Sequence, residues 1–407
     1  MPAAGPQRAR LFSYHPKPYR MKTDAPHRGR LYSLDVLRGI TVAGMILVNN
    51  PGSWKYVYAP LRHAEWTGLT PTDLVFPFFM FIMGVSAWAS LRKYGGKWSA
   101  DGCRKILRRT VSLFLVGLAI AWFSTSLGTW NSLAAEPVGW GERLLRSISD
   151  LGHVRISGIL QRLAVCYGAG ALIALRWGRR PLPWIAGALL LGYGIVLAVG
   201  NGYAYDTTNI LSVVDRAVLG AGHMYNDHGI DPEGVLSTIP SVGHVLIGIW
   251  IGSIVFSDEP LAARRRKTLL AAAVLLAAGL LLSPVCPVSK KIWTPTFALV
   301  TCGLGAGILG GLIWLTDEKQ KLRGAFGRFF EVFGSNPLFI YATATLMAIM
   351  LYKTRLGEGT LYSYIYTHAF QPWLGDYGGS LCFALTFVLV NWAIGWWLYK
   401  KKIFIKL

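Results

Sequence analysis

The stretch TDLVFPFFMFIMGVSAWASL, residues 72–91, decides the fold class. After Asp73 it runs eighteen residues without a charge, and its polar residues do not alternate with apolar ones. About 20 apolar residues at 1.5 Å each span the roughly 30 Å of bilayer hydrocarbon, and a continuous run rather than an alternating one means a helix. On one side of it lie Arg92, Lys93, Lys97, Arg104, Lys105, Arg108 and Arg109; on the other lies a polar, aromatic turn containing His63. A membrane helix with a basic end and a histidine-bearing end is the unit from which the rest of the chain is read.

Nine further apolar runs follow the same rule, at 33–49, 108–127, 153–175, 182–200, 237–256, 268–285, 294–315, 336–352 and 378–399. They predict an all-α, polytopic helical bundle of about ten spans. The composition agrees: 53% hydrophobic and 15% charged, with a mean hydropathy of +0.40. Soluble domains carry about 25% charge. Of 41 Lys and Arg, 29 fall on the tail and alternate loops, ten on the other loops, and Arg38 and Arg162 within spans. The positive-inside rule then puts both termini on the cytoplasmic side of the membrane. The net charge of +21 is thereby a topology signal and an attraction to anionic lipid, not an argument for nucleic acid.

Residues 1–30 read as a basic cytoplasmic tail with no cleavable signal peptide, and residues 31–407 as one transmembrane domain with periplasmic loops at 50–71, 128–152 and 201–236. The five cysteines have no paired spacing, so neither a disulfide framework nor a zinc site is expected. Tyr362 to Trp373 reads as an interfacial segment on the outer face. Phosphate-cradling glycine motifs are absent, which excludes ATP-driven transport by this chain alone.

His63 is the strongest candidate for acid/base chemistry. It stands in RHAEWTG, residues 62–68, ahead of LTPTD, residues 69–73. Asp73 suits both a helix cap and a group that orients an imidazole, and Asn49, at the outer end of the first span, suits a donor to a developing oxyanion. Arg162, beside Gln161 near the middle of the fourth span, is either functional or an ion-pair partner of Asp35. With Arg38, Lys105 and Arg109 it would provide counter-charges for an anionic ligand threading the bundle. The third outer loop gathers His223, Asp227, His228, Asp231 and Glu233, a set suited to a cationic or hydroxylated ligand such as an amino sugar, or to a solvated loop; its spacing matches no compact metal motif.

Four separated motifs in order, RLYSLDVLRG (30–39), HAEWTGLTPTDLVFPFFMFIMG (63–84), RISGILQRL (155–163) and the stretch from Asp215 to Gly234, resemble the transmembrane acetyltransferases typified by lysosomal heparan-α-glucosaminide N-acetyltransferase and its bacterial relatives. The resemblance implies transfer of acetyl from cytoplasmic acetyl-CoA to a glucosamine amine across the membrane, a bacterial inner membrane as the setting, no metal, and a homodimer. It implies His63 as the active-site histidine, with Asn49 beside it; by their own chemistry, Arg38, Gln161, Arg162, Lys105 and Arg109 are placed toward the anionic cofactor, and Trp66 with the third-loop residues His223, Asp227, Asp231 and Glu233 toward the sugar. The loop between Asn49 and His63 is about three residues longer than the family's. The chain is also read as lacking the animal enzyme's lumenal domain and preceding span, so the acceptor need not be heparan sulfate. Two other readings compete with this one: an N-acetylglucosamine transporter, and an O-acyltransferase of an envelope polysaccharide.

Overall fold

The computed structural model describes residues 31–94 and 98–405, so the basic tail lies outside the described residues. Fourteen α-helices carry nearly all the regular structure, and two-residue strands β1 (Arg355–Leu356) and β2 (Gly359–Thr360) form the antiparallel hairpin seen among the described residues.

The uncharged stretch after Asp73 becomes α2, Val75–Leu91. Its sequence is apolar on every side, which suits either lipid or the interior of a helical bundle. Here α2 sits in the core against α8 (Thr238–Val255). Glycines set the closeness of that crossing: a Cβ on Gly84 would lie 2.5 Å from the Val245 carbonyl oxygen, and one on Gly248 would lie 2.6 Å from that of Phe81. Small residues allow this approach in a medium where no hydrophobic drive holds helices together. Helices α5 (Ile159–Trp177), α6 (Leu182–Val199) and α10 (Pro295–Leu312) complete this core. A second core joins α1 (Tyr32–Asn49), α11 (Ala325–Ser335), α12 (Pro337–Lys353) and α14 (Gln371–Lys400). Exposed Trp184 and Leu191 on α6, and Leu270 and Leu281 on α9 (Leu261–Leu282), present the outer apolar surface.

By length and apolarity, eight helices among the described residues qualify as spans, or nine when α11 and α12, bent by 79°, count as one. The expected ten differ for two reasons. Helix α9 begins with Arg264, Arg265, Arg266 and Lys267 already wound into it, so its uncharged part is short. At Asn336-Pro337 the chain turns sharply, because Pro337 opens α12 and Asn336 is held outside the helix by hydrogen bonds with the backbone of Ile403 and Ile405.

The loops are more structured than their polarity suggests. Residues 128–152 contain the end of α3 (Ala100–Ser132) and a short helix, α4 (Trp140–Ser149); residues 201–236 contain α7 (Ile210–Leu219). The run expected as a span from 153 starts as a helix only at Ile159, since Arg155 is drawn out to Asp231 and Glu233, 2.6 Å from each. Arg162 therefore stands in the first turn of α5 rather than mid-span.

Candidate active site

Pro71 opens a single 3-10 turn, Pro71–Leu74, at the entrance to α2, and Asp73 caps it with Thr70 in a reciprocal pair. One carboxylate oxygen of Asp73 accepts from the Thr70 hydroxyl at 2.9 Å and from the Ala64 N–H at 3.0 Å. The other oxygen is 2.6 Å from Nδ1 of His63. Cap and orienting partner are thus one residue, and the same carboxylate ties the His63 loop to the helix. Asp73 is 1% exposed at its side chain whereas His63 is 39% exposed, so the imidazole is fixed from behind and open in front.

Lys290, in the loop between α9 and α10, completes this cluster. Its Nζ is 3.1 Å from His63 Nδ1 and 3.5 Å from Asp73. Nδ1 cannot donate to Asp73 and accept from Lys290 with one valence. The short contact to the carboxylate decides for donation from Nδ1, so that Nε2 is the acceptor whenever the ring is neutral. Burial pushes the Lys290 ammonium below the usual lysine range, against the opposing pull of Asp73 and Glu233.

At the other end of α2 lies a cavity of about 650 Å³ lined by Arg38, Ser86, Ser90, Lys105, Arg108 and Arg109. Ser86 and Ser90 follow Asp73 by thirteen and seventeen residues, which at 1.5 Å each makes about 20–25 Å of helix. Arg38 is held at 2.9 Å from Asp35 and 2.8 Å from the Ser86 hydroxyl, and Arg109 stacks over the Tyr167 ring. Among the described residues the Arg109 Nε has no hydrogen-bond partner although it is buried. A second cavity of about 300 Å³ is lined by Met45, Ile46 and Asn49 from α1, Ser124 from α3, and Tyr341, Thr345 and Lys353 from α12. Helices α1, α3 and α12 each contribute to both linings.

A sequence profile for the catalytic region of heparan-alpha-glucosaminide N-acetyltransferase matches residues 30–282. The chain belongs to this family. The heparan-alpha-glucosaminide N-acetyltransferase of Mus musculus is 26% identical over 387 residues, covering 79% of this chain and 54% of that protein. That of Homo sapiens is 28% identical over 375 residues, covering 77% and 52%. The chain spans about half the length of these curated relatives. The catalytic-region match of the acetyltransferase family takes in Arg38, His63, Asp73, Lys105, Arg109 and Arg162, and it ends before Lys290.

The remaining site residues of this family member fall into separate places. Asn49 is exposed at the end of α1, in the second cavity with Tyr352 and Lys353, and no hydrogen bond joins it to His63 among the described residues. Arg162 has no part in the basic cavity. Its guanidinium is 2.8 Å from the Gly234 carbonyl, bonds the Ser237 hydroxyl and lies over Trp293; Asp35 pairs with Arg38 instead. Gln161 is buried against Gly117 of α3, where a Cβ would come 2.5 Å from its amide oxygen.

In the third loop, Asp231 is fully buried and bonds Arg155, Ser157 and the N–H groups of Tyr225 and Glu233. Glu233 also bonds Arg155, and His223 bonds the Val154 carbonyl at 2.8 Å. These three hold the loop to the start of α5, and Asp231 has no exposed atom to offer a ligand. Trp66 stacks on Tyr205 with centroids 4.3 Å apart, and His228 lies on Tyr205 at 4.2 Å. Asp227 sits 2.6 Å from Lys291 and 2.7 Å from the Tyr205 hydroxyl; burial works against it, but these bonds hold its carboxyl below the usual range. The aromatic pile thus adjoins the His63 loop through Trp66. No group of three or more His, Cys, Asp or Glu able to hold a metal occurs among the described residues. All five cysteines are free.

Lys290 gave no signal in the sequence, being 227 residues from His63. Its neighbours alone hint at it: a Pro-Val-Ser-Lys-Lys turn between two spans reads as a solvated loop until the fold brings it to His63.

Proposed function

We propose that this chain is a transmembrane N-acetyltransferase that takes acetyl from acetyl-CoA at the basic face and delivers it to the amino group of a glucosamine-type sugar at the His63 face. The observation that carries the reading is the pairing of the Asp73-held His63 at one end of α2 with the Arg38, Lys105, Arg108 and Arg109 cavity at the other. The phosphates of CoA suit four basic side chains in a partly enclosed site, where charge-assisted hydrogen bonds are strong. The smaller, less charged cavity beside Tyr341 and Thr345 suits the pantetheine arm, which reaches Asn49 without passing Arg162.

At the outer end, Nε2 of His63 accepts the proton of the attacking amine. The amine nitrogen bonds to the carbonyl carbon, the C–S bond breaks, and the thiolate leaves and takes up the proton that His63 received. In the covalent variant Nε2 itself attacks the carbonyl carbon and the C–S bond breaks to release the thiolate; the amine then attacks the acetyl-imidazole, the Nε2–acetyl bond breaks, and the amine's proton passes to the thiolate. In both routes Asp73 stabilises the positive charge that develops on the ring, and the Asn49 amide donates to the carbonyl oxygen as it becomes an oxyanion. The sugar rests beside the Trp66 and Tyr205 pile. Apart from the acetyltransferase relatives, a bacterial inner-membrane setting and a homodimer belong to the same proposal.

Transfer of labelled acetyl from acetyl-CoA to glucosamine by the purified protein tests it. His63→Ala should lower the rate by about 10²–10⁴-fold, the range of a general acid–base residue. No acetyl transfer to any amino sugar by the wild type, or an unchanged rate in His63→Ala, would overturn the proposal.

A further inference from the structure

The loop that carries Lys290 is locked onto the loop that carries His63. Gly68 N–H donates to the Val288 carbonyl at 2.7 Å, and the Ser289 hydroxyl donates to the Trp66 carbonyl at 2.6 Å. Behind it, Ser289 and Trp293 are almost fully buried, and Trp293 takes a left-handed backbone conformation at φ 49 to close the turn. A surface lysine would swing freely. This one is placed by bonds at the two residues immediately before it, with its Nζ over the bond between Asp73 and His63.

The consequence is electrostatic. A carboxylate 2.6 Å from an imidazole favours the imidazolium, and a ring already protonated can neither accept a proton nor attack a thioester. An ammonium beside the same two groups compensates the carboxylate and opposes a second positive charge. Asp73 from the entrance to α2 and Lys290 from the α9–α10 loop meet His63 directly; Lys291 of the same loop and Glu233 from the third loop act on Lys290, and Arg62 and Glu65 are the charged residues of His63's own loop. Of the charged side chains, Asp73 and Lys290 are the ones recorded within 4 Å of the ring or of its partner.

We infer that Lys290 is a positioning residue of the site: it balances Asp73 so that His63 rests as a neutral imidazole with Nε2 available. The inference rests on the proposed role of His63 and adds to it a third member that lies outside the region matched to the family. Lys290 acts through His63 and Asp73 and touches no reacting atom.

Two measurements test it. Diethyl pyrocarbonate acylates neutral imidazole but not imidazolium, and mass spectrometry of the His63 peptide reads its extent as a function of pH without any acetyl transfer. In Lys290→Met the midpoint of that profile should move up by about one pH unit, the lower end of the effect of a charge this close. Lys290→Arg should restore the wild-type midpoint, which loss of a merely structural contact would not require. The acid limb of kcat/KM for acetyl transfer should move with the modification midpoint. A midpoint in Lys290→Met that equals wild type or moves down overturns the inference, as does failure of Lys290→Arg to restore it. If Lys290→Met does not fold, Lys290→Gln carries the same comparison. A shifted midpoint in a protein that transfers no acetyl would support the coupling while removing the proposed function.

Discussion

Asp215 and Arg162 show how one buried charge is tolerated beside another at the level of single residues. Asp215, on α7, is fully buried, accepts from the Leu236 N–H at 3.0 Å, and leaves its second oxygen without a partner among the described residues. Burial pushes its carboxyl up to about 6, with Asp231 adding to the rise and Arg162 resisting it. A raised folded-state value means the folded protein favours the protonated acid. The cost is absent below the unfolded value near 4 and is fully present above the folded one. Stability should therefore fall by about 2 kcal/mol between pH 4 and pH 7 on account of this group. Asp215→Asn, which keeps the Leu236 bond, should remove that slope and raise the melting temperature at pH 7; thermal unfolding in detergent at the two pH values checks it. His63 and Asp73 were legible as a pair because Thr70-Pro71-Thr72-Asp73 has the form of a helix entrance, which fixes both ends of a ten-residue loop. Arg162 was not, because residues 153–158 read as part of the apolar run that follows them, while Arg155 holds them out of the helix through bonds to residues more than seventy positions away. Local patterning carries no record of such a partner.

Among the elements, α3 does the most to relate the two faces. Lys105, Arg108, Arg109 and Ser112 recur at three- and four-residue spacing and line one cavity, while Ser124, further along the same helix, lines the next. Its basic first turns were legible as a topology signal, but the cavity was not, since the opposing wall comes from Arg38 on α1 and from Gly334 to Leu338 around the α11–α12 bend. That bend depends on Asn336 meeting the chain's last residues, a contact no apolar window contains. The double substitution Lys105→Ala/Arg109→Ala should weaken acetyl-CoA binding by tenfold or more, since each hydrogen bond to a charged group contributes about 1.5–3 kcal/mol. Isothermal titration with acetyl-CoA measures it, and unchanged affinity would remove the phosphate role from α3.

For the whole molecule, the composition fixed the class and the charge distribution suggested the direction. A +21 chain of 53% hydrophobic residues is legible at once as a membrane protein whose basic residues gather on one side. The number of spans was less so: α9 carries four basic residues within its helix, and the run expected near 336–352 is met by two helices, α11 and α12, bent by 79°. Helices α1, α3 and α12 contribute to the lining of both cavities, and α1 contributes to both packed cores. Transfer across the bilayer, rather than along one face, is the central claim. It is tested most directly in sealed proteoliposomes of uniform orientation, with labelled acetyl-CoA supplied only at the basic face and glucosamine only at the His63 face. The account predicts labelled N-acetylglucosamine in the glucosamine compartment for the wild type and none for His63→Ala. Product formed only when both substrates share one compartment would contradict it.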